Sequence, residues 1–334
     1  MAVEPRRFGA LGPLTDHQLQ AAAARFDLGR VHTAEPLTGG LFGKNVALTT
    51  DTGPWVLRGD PWPDDRDDQF RRERCFARLI HDHCELTAPW PYLIDPDPSL
   101  FGWPYALMPR LAGAPIGKPS SNRDWPALAA GFGRAVADLH RIAFDTPGEW
   151  RPDTDRVEPI ETSGARYLEA RIAWWMFRTA ETSEALDPAS ERMLTDAIEG
   201  AALELDLEDD AATYVHHDLN LGNVLASDDG TAIVAVFDLG EGYVADPLED
   251  LPRLLTHLAL HHGEPAVNAY LQAYSGASGR TLSRVRLRSY TLFDLLVFWE
   301  YGRRPAANWF PEARSFAEWV APVLARVEDT ITAW

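Results

Sequence analysis

Lysine is nearly absent from this chain: Lys44 and Lys118 are its only two among 334 residues, and 31 basic side chains face 50 acidic ones. A formal charge of −19 leaves no basic face for a phosphate backbone, so nucleic-acid binding is not expected. The same acidity would concentrate a cationic small molecule in a cleft. No apolar run approaches the roughly 18 residues that a membrane span needs, and the opening MAVEPRRFGALGPLTDHQ holds no unbroken apolar segment. No membrane partner is expected. Cysteine is equally scarce, with Cys75 and Cys84 alone and in no ligand spacing, which excludes a disulfide framework and a thiolate metal site. A soluble protein of a reducing compartment, the cytoplasm, follows. Internal repeats and low-complexity tracts are also missing.

What is present is ample apolar content, 46% of the residues, enough to bury one large core or two modest ones. The most informative stretch is YVHHDLNLGNVL, Tyr214 to Leu225, followed by IVAVFDLGEGYVADPLEDL, Ile233 to Leu251. Short apolar runs bracket a loop carrying His216, Asp218 and Asn223, and the next β-branched run ends on Asp238, so all four belong to strand ends. The spacing HxDxxxxN puts a carboxylate and an amide on one loop, where Asp218 takes a hydroxyl proton while Asn223 and Asp238 offer hard oxygens to magnesium. Phosphoryl transfer needs this set, because its charge is neutralised by a metal and its partners are held in line.

These residues resemble the aminoglycoside phosphotransferase and choline kinase group of small-molecule kinases. That family writes a His-Gly-Asp triplet, an Asn five residues after the Asp, and a strand ending in Asp. Here His217 stands at the Gly, while Asp246, Pro247 and Asp250 match the DPxxD that follows in many members. The resemblance implies a bilobal, protein-kinase-like α+β fold: a nucleotide-binding lobe over residues 1–109, with a small antiparallel sheet, and a mainly helical catalytic lobe over 110–334. It implies ATP or GTP as donor, magnesium, and a small-molecule hydroxyl as acceptor.

Along the first lobe, residues 14–28 read as a helix opened by Thr15 or Asp16 and stopped by Gly29, and Val31–Leu37, Asn45–Thr50 and Trp55–Arg58 as short strands. Between the first two strands, TGGLFGKN offers Gly39 and Gly40 for close backbone approach to phosphate, with Lys44 to assist. Arg58, where the family often has Lys, would clamp the phosphates and pair with Glu73 on the helix of QFRRERCFARLI. Trp90–Ile94 and Pro104–Leu111 complete the sheet. By the resemblance, YALMPRLAG is the hinge: Met108 beside the adenine, the carbonyl of Pro109 and the N–H of Leu111 bonding to it. Pro109 has lost its donor and kept its acceptor, which suits that role.

Beyond Asp124 the pattern is mostly helical. WPALAAGFGRAVADLHRI carries an apolar stripe through Leu128, Phe132, Val136 and Leu139, with His140 as a hydrogen-bonded core residue. Asp145–Thr162, rich in proline and charge, reads as a surface connection. ARYLEARIAWWMFR is apolar on too many faces for an ordinary amphipathic helix, so Trp174, Trp175 and Phe177 are core residues or line a cleft. Asp294 and Glu300, in an apolar helical setting, are acceptor-side candidates or satisfied structural acids. The acceptor is expected to be an antibiotic of aminoglycoside, macrolide or nucleoside type. The alternatives are a metabolic kinase for choline, homoserine or a sugar amine, and an inactive nucleotide-binding scaffold.

Overall fold

The computed structural model describes residues 6–7, 11–37, 45–60, 69–116, 123–161, 164–205, 212–304 and 315–331. Two short strands, β1 (Arg6–Arg7) and β2 (Pro13–Leu14), pair ahead of α1 (Asp16–Ala24). Thr15 opens that helix with a capping box shared with Gln18, and the helix stops five residues before Gly29. The strands β3 (Val31–Pro36), β4 (Asn45–Thr50) and β5 (Gly53–Gly59) follow. After them come α2 (Gln69–His83), β6 (Leu93–Asp95) and β7 (Tyr105–Pro109). The strands form one antiparallel sheet in the order β3-β4-β5-β7-β6.

Alternation along these strands decides which residues meet the site. Trp55 and Leu57 on β5, with Tyr105 and Leu107 on β7, pack with Leu19, Ala22 and Ala23 of α1 in one core. The intervening Val56, Ala106 and Met108 belong to the opposite face and pack with Phe70, Phe76 and Ile80 of α2. Arg58 shares that second face. The period of two therefore aims it at α2 and the larger lobe.

The larger lobe begins with β8 (Ala114–Pro115) and α3 (Trp125–Leu139), the latter capped by Asp124. The stretch expected to be a surface connection carries β9 (Ala143–Phe144) ahead of it and forms a hairpin of β10 (Gly148–Arg151) with β11 (Arg156–Pro159). Trp150 opposes Val157 across that hairpin, and Pro147, Pro152 and Pro159, just outside or at the ends of its strands, conceal the alternation. Next come α4 (Gly164–Thr182) and α5 (Pro188–Leu205), a helix not anticipated from the sequence. Strands β12 (Ala212–Val215), β13 (Val224–Ala226), β14 (Ile233–Val236) and β15 (Tyr243–Ala245) build the catalytic region. The chain closes with α6 (Leu251–His261), α7 (Glu264–Ser278), α8 (Arg284–Arg303) and α9 (Phe316–Thr330). The result is a bilobal α+β fold, with two small sheets, β11-β10-β15-β12-β9 and β14-β13-β8, embedded in the helical lobe.

The small sheet and the larger lobe are tied together where the chain leaves β7. β8, just beyond it, pairs with β13, which follows Asn223 directly. Gly113 makes the crossing possible: its φ is +132°, and a Cβ there would come within 2.8 Å of the Leu225 Cβ.

Candidate active site

Two strand pairs bring the motif residues together. β12 pairs with β15 and β13 with β14, so the loop 216–223 and the turn at Asp238 emerge side by side. Phe237 N–H donates to the Asn223 carbonyl at 3.0 Å, which sets Asn223 and Asp238 at the mouth of the same ladder. His216 fastens the two halves, its Nε2 donating to the Phe237 carbonyl at 3.1 Å. Asp238 adopts a left-handed backbone, φ 64° and ψ 58°, that ends the strand and turns the chain into a short 3-10 turn at Leu239–Glu241.

The loop is held from behind by Asp250. Its two oxygens accept from the backbone N–H groups of His216 and His217, each at 2.8 Å, and His140 Nε2 lies 3.4 Å away in the same buried pocket. Asp250 thus braces the loop, while Asp246 caps the next turn and pairs with Arg286 and Tyr290. His140 also meets the Tyr274 hydroxyl at 3.0 Å, as expected of a core histidine. His217 occupies its position at φ 66°, the conformation for which glycine is the default residue. Its ring lies between Tyr243 and Phe293, and burial, with Arg171 and Arg253 nearby, pushes its pKa well below the usual histidine range. It is a neutral packing residue.

Asp218 is about one-third exposed and points its carboxylate into a ring of donors. Asn223 Nδ2 lies 2.8 Å from Asp218 Oδ2 and 2.8 Å from the Asp218 carbonyl, so the amide oxygen of Asn223 is turned away and free to meet a cation. On the small sheet Arg58 bridges two acids, with Nη1 3.0 Å from Glu73 Oε2 and both terminal nitrogens 3.2 Å from Asp238 Oδ1. Burial works against the Arg58 charge, and the Glu73 and Asp238 carboxylates outweigh it, so its pKa rises. Glu73, almost wholly buried on the inner face of α2, has its pKa raised by that burial in spite of Arg58. Tyr92 and Gln69 complete its partners at 2.9 and 3.2 Å. Arg72, one position earlier, pins the Gly242 carbonyl at 2.8 Å and so ties α2 to the turn after Asp238.

The donor set suits magnesium. Among the described residues no group of three or more His, Cys, Asp or Glu side chains could hold a metal. One carboxylate and one amide oxygen, Asp238 and Asn223, nevertheless match an ion that keeps most of its shell as water and phosphate. Asp238 is 45% exposed, which leaves room for that shell.

At the end of β7, Met108 is buried at the sheet's inner face, Pro109 is the last strand residue, and Leu111 follows after Arg110, whose N–H is taken by the Pro54 carbonyl. Gly39, Gly40 and Lys44 lie outside the described residues. The acceptor-side candidates separate. Trp175 is buried, whereas Trp174 and Phe177 are exposed on α4. Glu300 is fully buried and spent on Arg304 at 2.8 Å. Asp294 pairs with Arg253, which also reaches Asp218. Tyr92, Gln69, Arg72 and Arg253 were not singled out from the sequence. A Gln four residues before the helical Glu was the only available signal among them.

A model of the phosphotransferase enzyme family matches residues 33–288. The chain belongs to that family. As a phosphotransferase it moves the γ-phosphate of a nucleotide to a small-molecule hydroxyl with magnesium. Among solved structures it is similar to a provisionally assigned aminoglycoside phosphotransferase from Ralstonia eutropha JMP134, at 16% identity and TM-score 0.62, covering 95% of this chain and 98% of that one. It is also similar to a thermostable mutant of aminoglycoside phosphotransferase APH(4)-Ia in ternary complex with ADP and hygromycin B, at 15% identity and TM-score 0.61, with 94% and 99% covered. A macrolide 2'-phosphotransferase type I aligns at 19% identity and TM-score 0.55, with 95% and 97% covered. At such identities the likeness speaks for the fold. No curated protein matches the chain.

Proposed function

We propose that this phosphotransferase acts on a natural-product antibiotic, with residues 1–109 forming the nucleotide lobe and 110–334 the catalytic lobe. Asp218 accepts the proton of the acceptor hydroxyl, Asn223 and Asp238 hold magnesium, and Arg58, braced by Glu73, orients the donor phosphates. Met108, Pro109 and Leu111 receive the adenine or guanine, and Gly39, Gly40 and Lys44 cover the phosphates. The carrying observation is the meeting of Asp218, Asn223, Asp238 and Arg58 on elements from both lobes.

In this reading the acceptor oxygen bonds to the γ-phosphorus, the bond to the bridging oxygen breaks, and the hydroxyl proton passes to Asp218 Oδ2. Magnesium, when bound, neutralises charge on the phosphates. Structural neighbours that hold hygromycin B or kanamycin, or are named for macrolides, support an antibiotic acceptor. The two free thiols and the absence, among the described residues, of any helix long and apolar enough to cross a membrane support a cytoplasmic site of action.

The test is a mass-spectrometric panel with magnesium and ATP or GTP, holding hygromycin B, kanamycin, erythromycin, choline and homoserine. Gain of one phosphate by an antibiotic is the expected result. Phosphorylation of choline or homoserine alone would replace the acceptor class, and no product with any compound would count against transfer itself.

A further inference from the structure

The partners of Asp218 are unevenly divided between its two oxygens. Oδ1 accepts from Asn220 Nδ2 at 3.0 Å and from Arg253 Nη1 at 2.6 Å. Oδ2 accepts from Asn223 Nδ2 at 2.8 Å. A carboxylate oxygen has two lone-pair sites, so Oδ1 is filled and Oδ2 keeps one open.

Arg253 is itself clamped. Its Nε and Nη2 lie 2.8 and 2.7 Å from Asp294 Oδ1, and its guanidinium carbon sits 4.1 Å over the Phe298 ring. Asp294 and Phe298 are one turn apart on α8, whereas Arg253 comes from α6, so two helices fix one planar fork. Asp294 is 7% exposed, and its second oxygen is buried with no hydrogen-bond partner. Burial raises its pKa against the pull of Arg253. A half-satisfied buried acid is costly, and an apolar residue here would pack without that cost. The geometry supplies a reason to keep it. The terminal torsion of an aspartate is broad, so an untethered Asp218 carboxylate would rotate its open oxygen out of line with the acceptor, whereas a guanidinium locked by Asp294 admits one orientation.

We infer that Arg253 and Asp294 form a positioning pair for phosphoryl transfer: they hold Asp218 by Oδ1 and so present the open side of Oδ2 to the acceptor hydroxyl. The inference rests on the role proposed above for Asp218. Neither residue touches the reacting atoms; both act through that carboxylate.

The experiment compares Arg253→Gln, Arg253→Lys, Arg253→Ala and Asp294→Asn with the unaltered protein. The readouts are phosphate transfer to the panel's phosphorylated compound and phosphate release from magnesium–ATP with water as acceptor. Arg253→Gln is expected to lower kcat on the order of 10- to 100-fold while the KM for nucleotide stays within about twofold, since a misplaced base costs rate and leaves donor binding alone. Arg253→Lys falls between, because an ammonium cannot fork to both acids. Asp294→Asn weakens turnover in the same direction, and serves if the Arg253 variants fold poorly. Millimolar guanidinium restores part of the rate of Arg253→Ala, which a purely structural role would not allow. Full kcat in Arg253→Gln and Asp294→Asn, or a loss shared equally by nucleotide KM and melting temperature, overturns the inference. Full turnover in Asp218→Asn would instead overturn the reading beneath it.

Discussion

Arg58 and Glu73 lie 3.0 Å apart, and the Glu73 side chain is only 3% exposed, so this ion pair is shielded from water on its acidic side. Removing the cation strands a buried carboxylate, at a cost of about 3–5 kcal/mol. Arg58→Ala is therefore expected to lower the melting temperature sharply. Arg58→Lys keeps the charge but not the bridge to Asp238, so it should fold normally and raise the nucleotide KM about tenfold. Thermal unfolding and initial-rate kinetics on the two variants check both statements.

Asp250 satisfies two buried backbone N–H groups of the catalytic loop at once. Asp250→Ala leaves both without partners, a loss of roughly 1–3 kcal/mol for each orphaned group. Asp250→Asn retains one acceptor and should be milder. Hydrogen exchange at His216 and His217 should quicken in both variants, more in the alanine one; unchanged protection would show that the brace is dispensable.

His217 combines a left-handed backbone with ring contacts to Tyr243 and Phe293. Glycine removes the backbone strain and alanine does not, while both lose the ring. His217→Gly should therefore be more stable than His217→Ala by about 1 kcal/mol, with the unaltered protein above both. Urea midpoints give the order directly.

His257, half-buried on α6 beside His261 and His262, has its pKa lowered from 6.5 to about 4, by burial first and by those two rings second. Between those values the unfolded chain binds a proton that the folded one refuses. Its contribution to stability is complete above pH 6.5 and is lost as pH falls toward 4. His217 is lowered too and acts in the same direction. Melting temperatures measured from pH 7.5 down to 4.5 should fall, and His257→Gln should fall less steeply.

Much of this architecture was readable from the chain because strand alternation and turn spacing are local. The run ending on Asp238 and the loop carrying Asp218 and Asn223 needed no tertiary knowledge. Glu73 stood on the buried face of a periodic helix and was legible for that reason. Arg253 was not, since an arginine on an amphipathic helix reads as one more surface charge until α8 is known to carry Asp294 and Phe298 beneath it. Trp174 and Trp175 show the same limit: the two adjacent rings meet edge to face with centroids 4.7 Å apart, yet only Trp175, which also packs against Tyr301, is buried. The hairpin at β10 and β11 escaped notice because its strands are four residues each, too short for their alternation to outweigh flanking prolines.

Asp218→Asn, read in the acceptor panel by mass spectrometry alongside nucleotide binding by calorimetry, addresses the central claim most directly. The account predicts that magnesium–nucleotide still binds with unchanged affinity while the phosphorylated product disappears, a loss on the order of 100-fold or more. Near-normal product formation by that variant would contradict it.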